Sequence, residues 1–363
     1  MLEYDQNLFR RLEKSFEDSP YSQQVGDYWS GYVNSIVSII NDERLVGFGD
    51  NYALTQGFGD ALRYDAPKYR LRKLIRTPFL YRAIEKALVI KAQRRRAPVL
   101  FSRNRSVFTM PEFAEHLAQE LNSTTRALSI SRYFVVNGER APFRYWMFLI
   151  YLEMFYVLAQ KACIEADTVL SGNYLDIGGG YGSSVDGISI YKKFRGIGAG
   201  TVNYDVDQFP VTFIANQYLR YRQPAAECPV LANSSDMDKL GKPNIAAGSA
   251  YCHFQVIQNN IVEQLKGANV SFFFNSNSFQ EMDVEQIEEY CQFIKRNKAS
   301  EAYLGAYFYD SDRSSNDPSK ATGILDSHFK QIGQLTATDL FTLRGLQPPT
   351  SGVVTGTYRL FAV

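Results

Sequence analysis

YLDIGGGYGSSVDGISIYKKF, residues 174–194, is the stretch whose reading decides the fold. A short apolar run ends in Asp176, a loop follows with Gly178, Gly179, Gly180 and Gly182, and a helix is predicted from Ser183 or Ser184. Strand, glycine loop and helix in that order make the ligand-facing end of an α/β unit, because a loop without Cβ atoms lets a ligand reach the backbone. Spacing then sorts the ligands. A dinucleotide turn needs G-x-G-x-x-G, but the sixth position is Ser183 counted from Gly178 and Val185 counted from Gly180. What stands here is D-x-G-x-G-x-G, built on Asp176, Gly178, Gly180 and Gly182.

Downstream, the runs GTVNYDVD, YCHFQVI, VSFFFNS, AYLGAYFYD and GVVTGTYRLFAV alternate with helix-length segments, which predicts a largely parallel α/β sheet. The second run offers Asp205 and Asp207 at its end. Residues two apart on a strand share a face, so both carboxylates can look into one pocket, where a carboxylate accepts hydrogen bonds from two ribose hydroxyls. Asp207 is the preferred residue and Asp205 the alternative; a carboxylate capping the helix after Pro210 explains the same position without a ligand. The third run ends in QVIQNN, so Gln258 or Asn259 stands where a purine edge would be held, although Asn-Asn is also ordinary turn chemistry. The glycines of GIGAG, 196–200, read as the loop entering the second strand.

The D-x-G-x-G-x-G loop resembles the first motif of class I S-adenosylmethionine-dependent methyltransferases. Such a ligand has no pyrophosphate to seat on a helix dipole, so the third dinucleotide glycine is dispensable, and its ammonium favours a nearby carboxylate. Together, LDIGGGYG, DQFPVTFIANQYL and FFFNSNSFQEM are similar to the sugar O-methyltransferase family of bacterial surface-polysaccharide pathways. The matching positions are Gly178, Gly179, Gly180, Tyr181 and Gly182, then Asp207, then Asn275, Ser278, Phe279, Gln280, Glu281 and Met282. DYWSGYVNSI in the first half is a looser likeness.

The resemblance implies a Rossmann-like class I methyltransferase sheet, mostly parallel with an antiparallel last strand. It further implies S-adenosylmethionine as cofactor, with Asn275, Ser276 and Ser278 joining the binding set, and a sugar or glycan acceptor, lipid-linked or nucleotide-linked, for surface-glycan synthesis. Two features depart from it: one extra residue precedes Pro210, and 224–250 reads as an insertion without an assigned role.

Methyl transfer to a sugar hydroxyl needs alignment and a base. Glu281 has the best position, on the loop after the fourth strand; the alternative is that it anchors the helix starting near Val284. His328 follows the fifth-strand exit and is read as near the acceptor, whereas His253 lies inside a strand pattern and His116 in a helix. Asp310 joins the catalytic candidates; with Asp312 it could also hold Mg²⁺, although D-S-D-R-S-S is ordinary loop composition. Competing readings are a nicotinamide-dependent oxidoreductase acting on a sugar, and a non-catalytic glycan- or partner-binding module.

Residues 1–165 read as a mainly helical region capping the acceptor side, and 166–363 as the cofactor-binding catalytic domain. NLFRRLEKSFEDSP carries an amphipathic stripe at Leu8, Phe9, Leu12 and Phe16; MPEFAEHLAQELNSTTRALSI reads as a helix that Pro111 opens and Asn122 ends. A glycine-studded segment over 47–67 reads as a long loop. The apolar run from Tyr145 contains Glu153 and is short for a membrane span, so it reads as a buried helix. KYRLRKLIRTPFLYRAIEKALVIKAQRRR, 68–96, is a basic stretch suited to peripheral contact with anionic lipid or glycan, or simply a solvated face. Over 363 residues, 39 Lys and Arg against 38 Asp and Glu leave no overall field to draw in nucleic acid. Four dispersed cysteines at 163, 228, 252 and 291 and an N-terminus without an apolar core argue against a disulfide scaffold and a signal peptide, so the expected setting is cytoplasmic, with a peripheral position at the inner membrane open.

Overall fold

The computed structural model describes residues 2–19, 33, 36, 37, 40, 45, 99–101, 104–130, 132–233, 235–236, 253–259, 262, 265–309, 318–346 and 356–363. The basic 68–96 stretch, the 47–67 segment, Asp310 and Asp312 lie outside the described residues.

The first part of the chain supplies α1 (Gln6–Glu17), β1 (Val99–Leu100), α2 (Pro111–Ala127), the hairpin strands β2 (Tyr133–Val136) and β3 (Glu139–Pro142), α3 (Phe143–Lys161) and α4 (Ala166–Leu170). The rest alternates as expected: β4 (Asn173–Ile177), α5 (Ser183–Arg195), β5 (Val202–Asp207), α6 (Val211–Arg222), β6 (Val230–Leu231), β7 (His253–Gln258), β8 (Val270–Ser276), α7 (Ser278–Glu281), α8 (Val284–Asn297), β9 (Lys298–Tyr309), α9 (Pro318–His328), β10 (Lys330–Thr336), α10 (Ala337–Leu343) and β11 (Gly356–Ala362). Three of these strands form a small separate sheet in the order β1-β2-β3, which the helical reading of this part does not include.

The large sheet runs β10-β11-β9-β8-β4-β5-β7-β6. Every neighbouring pair is parallel except those of β11, which lies antiparallel between β9 and β10. Counted from β4, the central strands follow the 3-2-1-4-5 order of doubly wound nucleotide-binding sheets, and the antiparallel last strand is inserted before the sixth. This is the strand order that the sequence resemblance implies. The chain leaves β4 toward β5 on one side and returns to β8 on the other, so the crevice at the carboxyl ends of these three strands is where such a sheet takes its ligand.

Alternation along β8 divides the core. Phe272 and Phe274 face the layer of α3, while Phe273 faces the layer of α8 and α9. Phe155 of α3 meets Phe272 at 4.6 Å between ring centroids, and Tyr151 meets Tyr307 of β9 at 4.7 Å. The helix expected to be buried is buried on all sides: Glu153 is 3% exposed and accepts from the Thr109 backbone N–H and from Arg344 at 2.6 Å. Each fully buried Leu or Phe of this helix contributes about 1.5–3 kcal/mol. Gly187, inside α5, marks the point of closest approach, since a Cβ there would lie 2.8 Å from the Phe148 ring of α3.

Asn122 does not end α2 as expected. The helix continues to Ala127, and the Asn122 carbonyl accepts from Arg126 Nε at 3.1 Å and from the Arg140 backbone N–H at 3.1 Å, tying helix to hairpin. GIGAG is a connection: Gly196, at φ 66°, closes α5 in the left-handed conformation. Part of the insertion has a role too, because Val230 and Leu231 form β6 against β7.

Candidate cofactor site

The glycine loop joins β4 to α5 with Gly178, Gly180 and Gly182 at φ 72°, 66° and 85°, a region costly for residues with a Cβ. The Gly178 N–H donates to Val206 O at 2.7 Å and fastens the loop to β5. Two glycines answer to the protein's own packing. A Cβ on Gly178 would lie 1.9 Å from Ser278 Oγ, and one on Gly179 would lie 2.1 Å from Asp205 Oδ1. Tyr181 is buried, its ring edge-on to Tyr218 at 4.8 Å.

Strand register gathers three carboxylates beneath this loop. Asp176 pairs directly with Asp205 across β4 and β5, and Asp207 lies two residues further on, opposite Gln258 of β7. Asp176 is 1% exposed and accepts from the Ser184 hydroxyl in the first turn of α5. Burial and the neighbouring Asp207 charge hold it well above the usual carboxylate range, with Arg144 acting in the opposite sense. Asp205, fully buried, is raised by burial and then by Asp176 and Asp207. Asp207 is partly buried and accepts from the Gly180 N–H at 3.0 Å and the Gln208 N–H at 2.7 Å. Burial nevertheless pushes it up to about 7. It does not cap α6 through its side chain; Thr212 Oγ donates to its backbone carbonyl instead.

At the end of β7, Gln258 Nε2 donates to Leu12 O of α1 at 3.3 Å, so the first helix roofs this side of the crevice. Phe9 and Phe16 of α1 pack on Phe209 at 5.2 and 6.0 Å, and the Ser15 hydroxyl donates to Ala232 O. Gln258 Oε1 and Asn259 Oδ1 are buried without hydrogen-bond partners among the described residues, as are Asp176 Oδ1 and the side-chain oxygens of Asp205. Every one of these atoms is an acceptor. A ligand that presents donors and positive charge would draw Asp176 and Asp205 into their ionised, acceptor-only form, and an adenosyl sulfonium with an ammonium group, two ribose hydroxyls and an adenine amine fits that donor set.

The segment after β8 is largely occupied with holding the loops. Asn275 donates from Nδ2 to Ile177 O at 2.8 Å and accepts from the Phe279 N–H at 3.2 Å, so its amide ties the glycine loop to the turn after β8. Ser276 Oγ donates to Tyr151 OH at 3.1 Å, Ser278 Oγ lies 3.4 Å from Gly178 O, and Gln280 accepts from the Tyr309 N–H at 2.9 Å. Glu281, partly buried, stands on the α7 turn at the carboxyl edge. The next helix is capped by Asp283 in a reciprocal box with Gln286.

His328 is not brought to the site. It closes α9 just before β10, at the amino-terminal edge of the sheet, and engages Glu288 and Lys295 of α8. After the fifth strand the chain recrosses the sheet through α9, and β10, an edge strand with few apolar residues, leaves little trace of that return in the sequence. His253 opens β7 opposite Val202, at that same far edge, and His116 lies on α2 with its ring 5.3 Å from Phe194. Among the described residues no cluster of three or more His, Cys, Asp or Glu is arranged to hold a metal, and no helix is long and apolar enough to cross a membrane.

Two contributions were missed by sequence reasoning. Arg144, in the first turn of α3, acts electrostatically on Asp176, Tyr181 and Tyr151, and it immediately precedes the apolar run that drew attention to this helix. Behind the loop, Asp186 of α5 accepts from Arg222 Nε at 2.9 Å, Tyr145 OH and Gln223 Nε2, while Tyr145 OH lies 2.7 Å from Tyr218 OH. Arg222 also reaches Thr124 of α2, so one buried charge pair binds four helices.

No family model matches the chain, and no curated protein matches it. Among solved structures it is similar to an S-adenosylmethionine-dependent methyltransferase from Aquifex aeolicus, at 17% identity over 53% of this chain and 81% of that one, with a TM-score of 0.32. Magnesium protoporphyrin IX methyltransferase from Synechocystis PCC 6803 with bound S-adenosylmethionine matches at 13% identity over 69% and 97%, TM-score 0.36. Geranyl diphosphate C-methyltransferase from Streptomyces coelicolor A3(2), in complex with Mg²⁺, geranyl-S-thiolodiphosphate and S-adenosylhomocysteine, matches at 11% over 53% and 69%, TM-score 0.31. At these identities and scores the likenesses say nothing about substrate.

Proposed function

We propose that this chain is an S-adenosylmethionine-dependent methyltransferase, with residues 166–363 as catalytic unit and 1–165 as cap, and that its acceptor is a sugar hydroxyl. The observation that carries the cofactor is the acceptor-only set of buried atoms on Asp176, Asp205, Gln258 and Asn259 around a D-x-G-x-G-x-G loop, at the carboxyl ends of β4, β5 and β7. Asp207 would take the ribose hydroxyls, Gln258 and Asn259 the adenine edge, and Asp176 the ammonium. Bound there, the cofactor supplies an electrophilic methyl group. Glu281 stands on the same edge and would accept the proton of the acceptor hydroxyl as it attacks, a contribution of typically 10²- to 10⁴-fold. The sugar rests on the likeness of LDIGGGYG, DQFP and NSNSFQEM to surface-glycan O-methyltransferases.

The test is transfer of label from S-[methyl-³H]adenosylmethionine to simple glycosides, nucleotide sugars and lipid-linked oligosaccharides. Labelled glycan that disappears with Asp207→Ala supports the reading. Cofactor turnover with a different acceptor class overturns the sugar, and absence of methyl transfer to any acceptor class, with NAD bound instead, overturns the methyltransferase.

A further inference from the structure

Asn122 positions two arginines at once. Its side-chain oxygen accepts from Arg126 Nε in the last turn of α2 and from the Arg140 backbone N–H on β3, each at 3.1 Å. Alternation then sorts the hairpin: Phe134, Val136 and Ala141 turn into the core, while Tyr133, Val135 and Arg140 stand on its outer face. There the Arg140 guanidinium lies over the Tyr133 ring at 4.7 Å. Arg126 and Arg140 flank a groove of about 360 Å³ between the end of α2 and the hairpin, and Thr125, Ser129, Ile130 and Tyr133 complete its lining. That volume lies in the range of small-ligand sites.

The polar groups left open in this groove are donors. Neither guanidinium forms an ion pair with a described residue, and the hydroxyls of Ser129 and Tyr133 bond to no described residue. Glu139, the acid of the hairpin, alternates to the opposite face. The carbonyls that end α2 are covered as well, since those of Thr124, Thr125 and Arg126 accept from the N–H groups of Leu128, Ile130 and Ser129. No described residue of the lining carries a negative charge, the reverse of the crevice with its buried carboxylates. A guanidinium stacked on a ring or held through Nε keeps its terminal N–H groups for an incoming oxyanion.

We propose that this groove is a second binding site, lined by other residues than the cofactor crevice, for the phosphate or diphosphate group of a small phosphorylated ligand. Two guanidinium forks facing one recess match the several oxygens of a phosphoryl group, and the Ser129 and Tyr133 hydroxyls suit a hydroxylated remainder.

The experiment is calorimetric titration of the full chain, at about physiological ionic strength, with inorganic pyrophosphate, with UDP-glucose and with glucose as the neutral control. One pyrophosphate or UDP-glucose per chain is expected, with no binding of glucose. Affinity should fall about ten- to a hundredfold in Arg126→Gln and in Arg140→Gln, both exposed positions whose replacement should leave thermal unfolding as native. Arg140→Lys should recover only part of the loss, because it restores the charge without the fork. The proposal is overturned if neither phosphorylated probe binds, if glucose binds as well as they do, or if binding survives both glutamine variants. Retention on phosphatidylglycerol vesicles with neither soluble probe bound would overturn it in favour of a lipid surface. The titration needs neither cofactor nor turnover, so its failure and the failure of the methyltransferase reading are separate results.

Discussion

Lowering the pH from 8 to 6 should weaken S-adenosylhomocysteine binding about tenfold, and the reason lies in one carboxyl group. Burial pushes Asp207 up to about 7 against the opposing influence of the Gln208 and Gly180 N–H groups. Other charges face it or its neighbours: Asp205 on the same strand, Asp176 across on β4, and Arg144 from α3 acting on Asp176. If the ribose hydroxyls bind the ionised form, the affinity falls by a factor of about 1 + 10^(7 − pH), which is about 2 at pH 7 and about 10 at pH 6. Ligand-free stability runs the other way. A carboxyl whose folded pKa is raised contributes stability below its unfolded value, about 3.9, and loses it as the pH climbs through 7. The assay is calorimetric titration between pH 5.5 and 8.5 in two buffers of different ionisation enthalpy, which also reads the release of about half a proton at pH 7. Asp207→Asn should flatten the profile. Affinity independent of pH between 6 and 8 would refute the reasoning, and a slope that survives in Asp207→Asn would move the titration to Asp176 or Asp205.

Gly179→Ala should cost the fold about 1–3 kcal/mol in urea unfolding and lower S-adenosylhomocysteine affinity, because its Cβ would stand 2.1 Å from Asp205 Oδ1; a variant that unfolds and binds as native does would show that the loop yields freely. Arg222→Met leaves fully buried Asp186 without its cation and should destabilise the chain by about 3–5 kcal/mol in the same measurement, where a loss under 1 kcal/mol would deny the pair its role. Glu281→Gln should reduce the rate constant of methyl transfer by about 10²-fold or more while cofactor affinity is retained; an unchanged rate removes Glu281 as base. His328→Ala should turn over like the native protein, since its contacts are with Glu288 and Lys295 on the far edge, and a large rate loss would mean that the far edge influences catalysis.

The parts of this molecule legible in the sequence are those where a short local pattern carries the physics. Alternation in VSFFFNS assigns Phe272 and Phe274 to one face and Phe273 to the other, and the spacing of Asp205 and Asp207 puts both on the side of Asp176. The glycine loop was legible in position but not wholly in cause: Gly178 and Gly179 are small because Ser278 and Asp205 press on them, contacts that come from residues far along the chain. Asn275, read as a cofactor residue, also clamps Ile177 to Phe279, a role invisible in the sequence because an amide at a strand end serves either purpose and the neighbours decide. His328 was misplaced for a topological reason, the return of the chain through α9 to the other edge. Arg144 was hidden by its company, a single charge at the head of an apolar helix whose influence on Asp176 depends on how α3 docks on the sheet.

Whether the crevice takes an adenosyl ligand is tested most directly by equilibrium titration of the native chain with S-adenosylhomocysteine and, separately, with NAD. The account predicts one S-adenosylhomocysteine per chain, an affinity reduced about ten- to a hundredfold by Asp207→Ala, and no saturable binding of NAD. Saturable NAD binding with none of S-adenosylhomocysteine would contradict it.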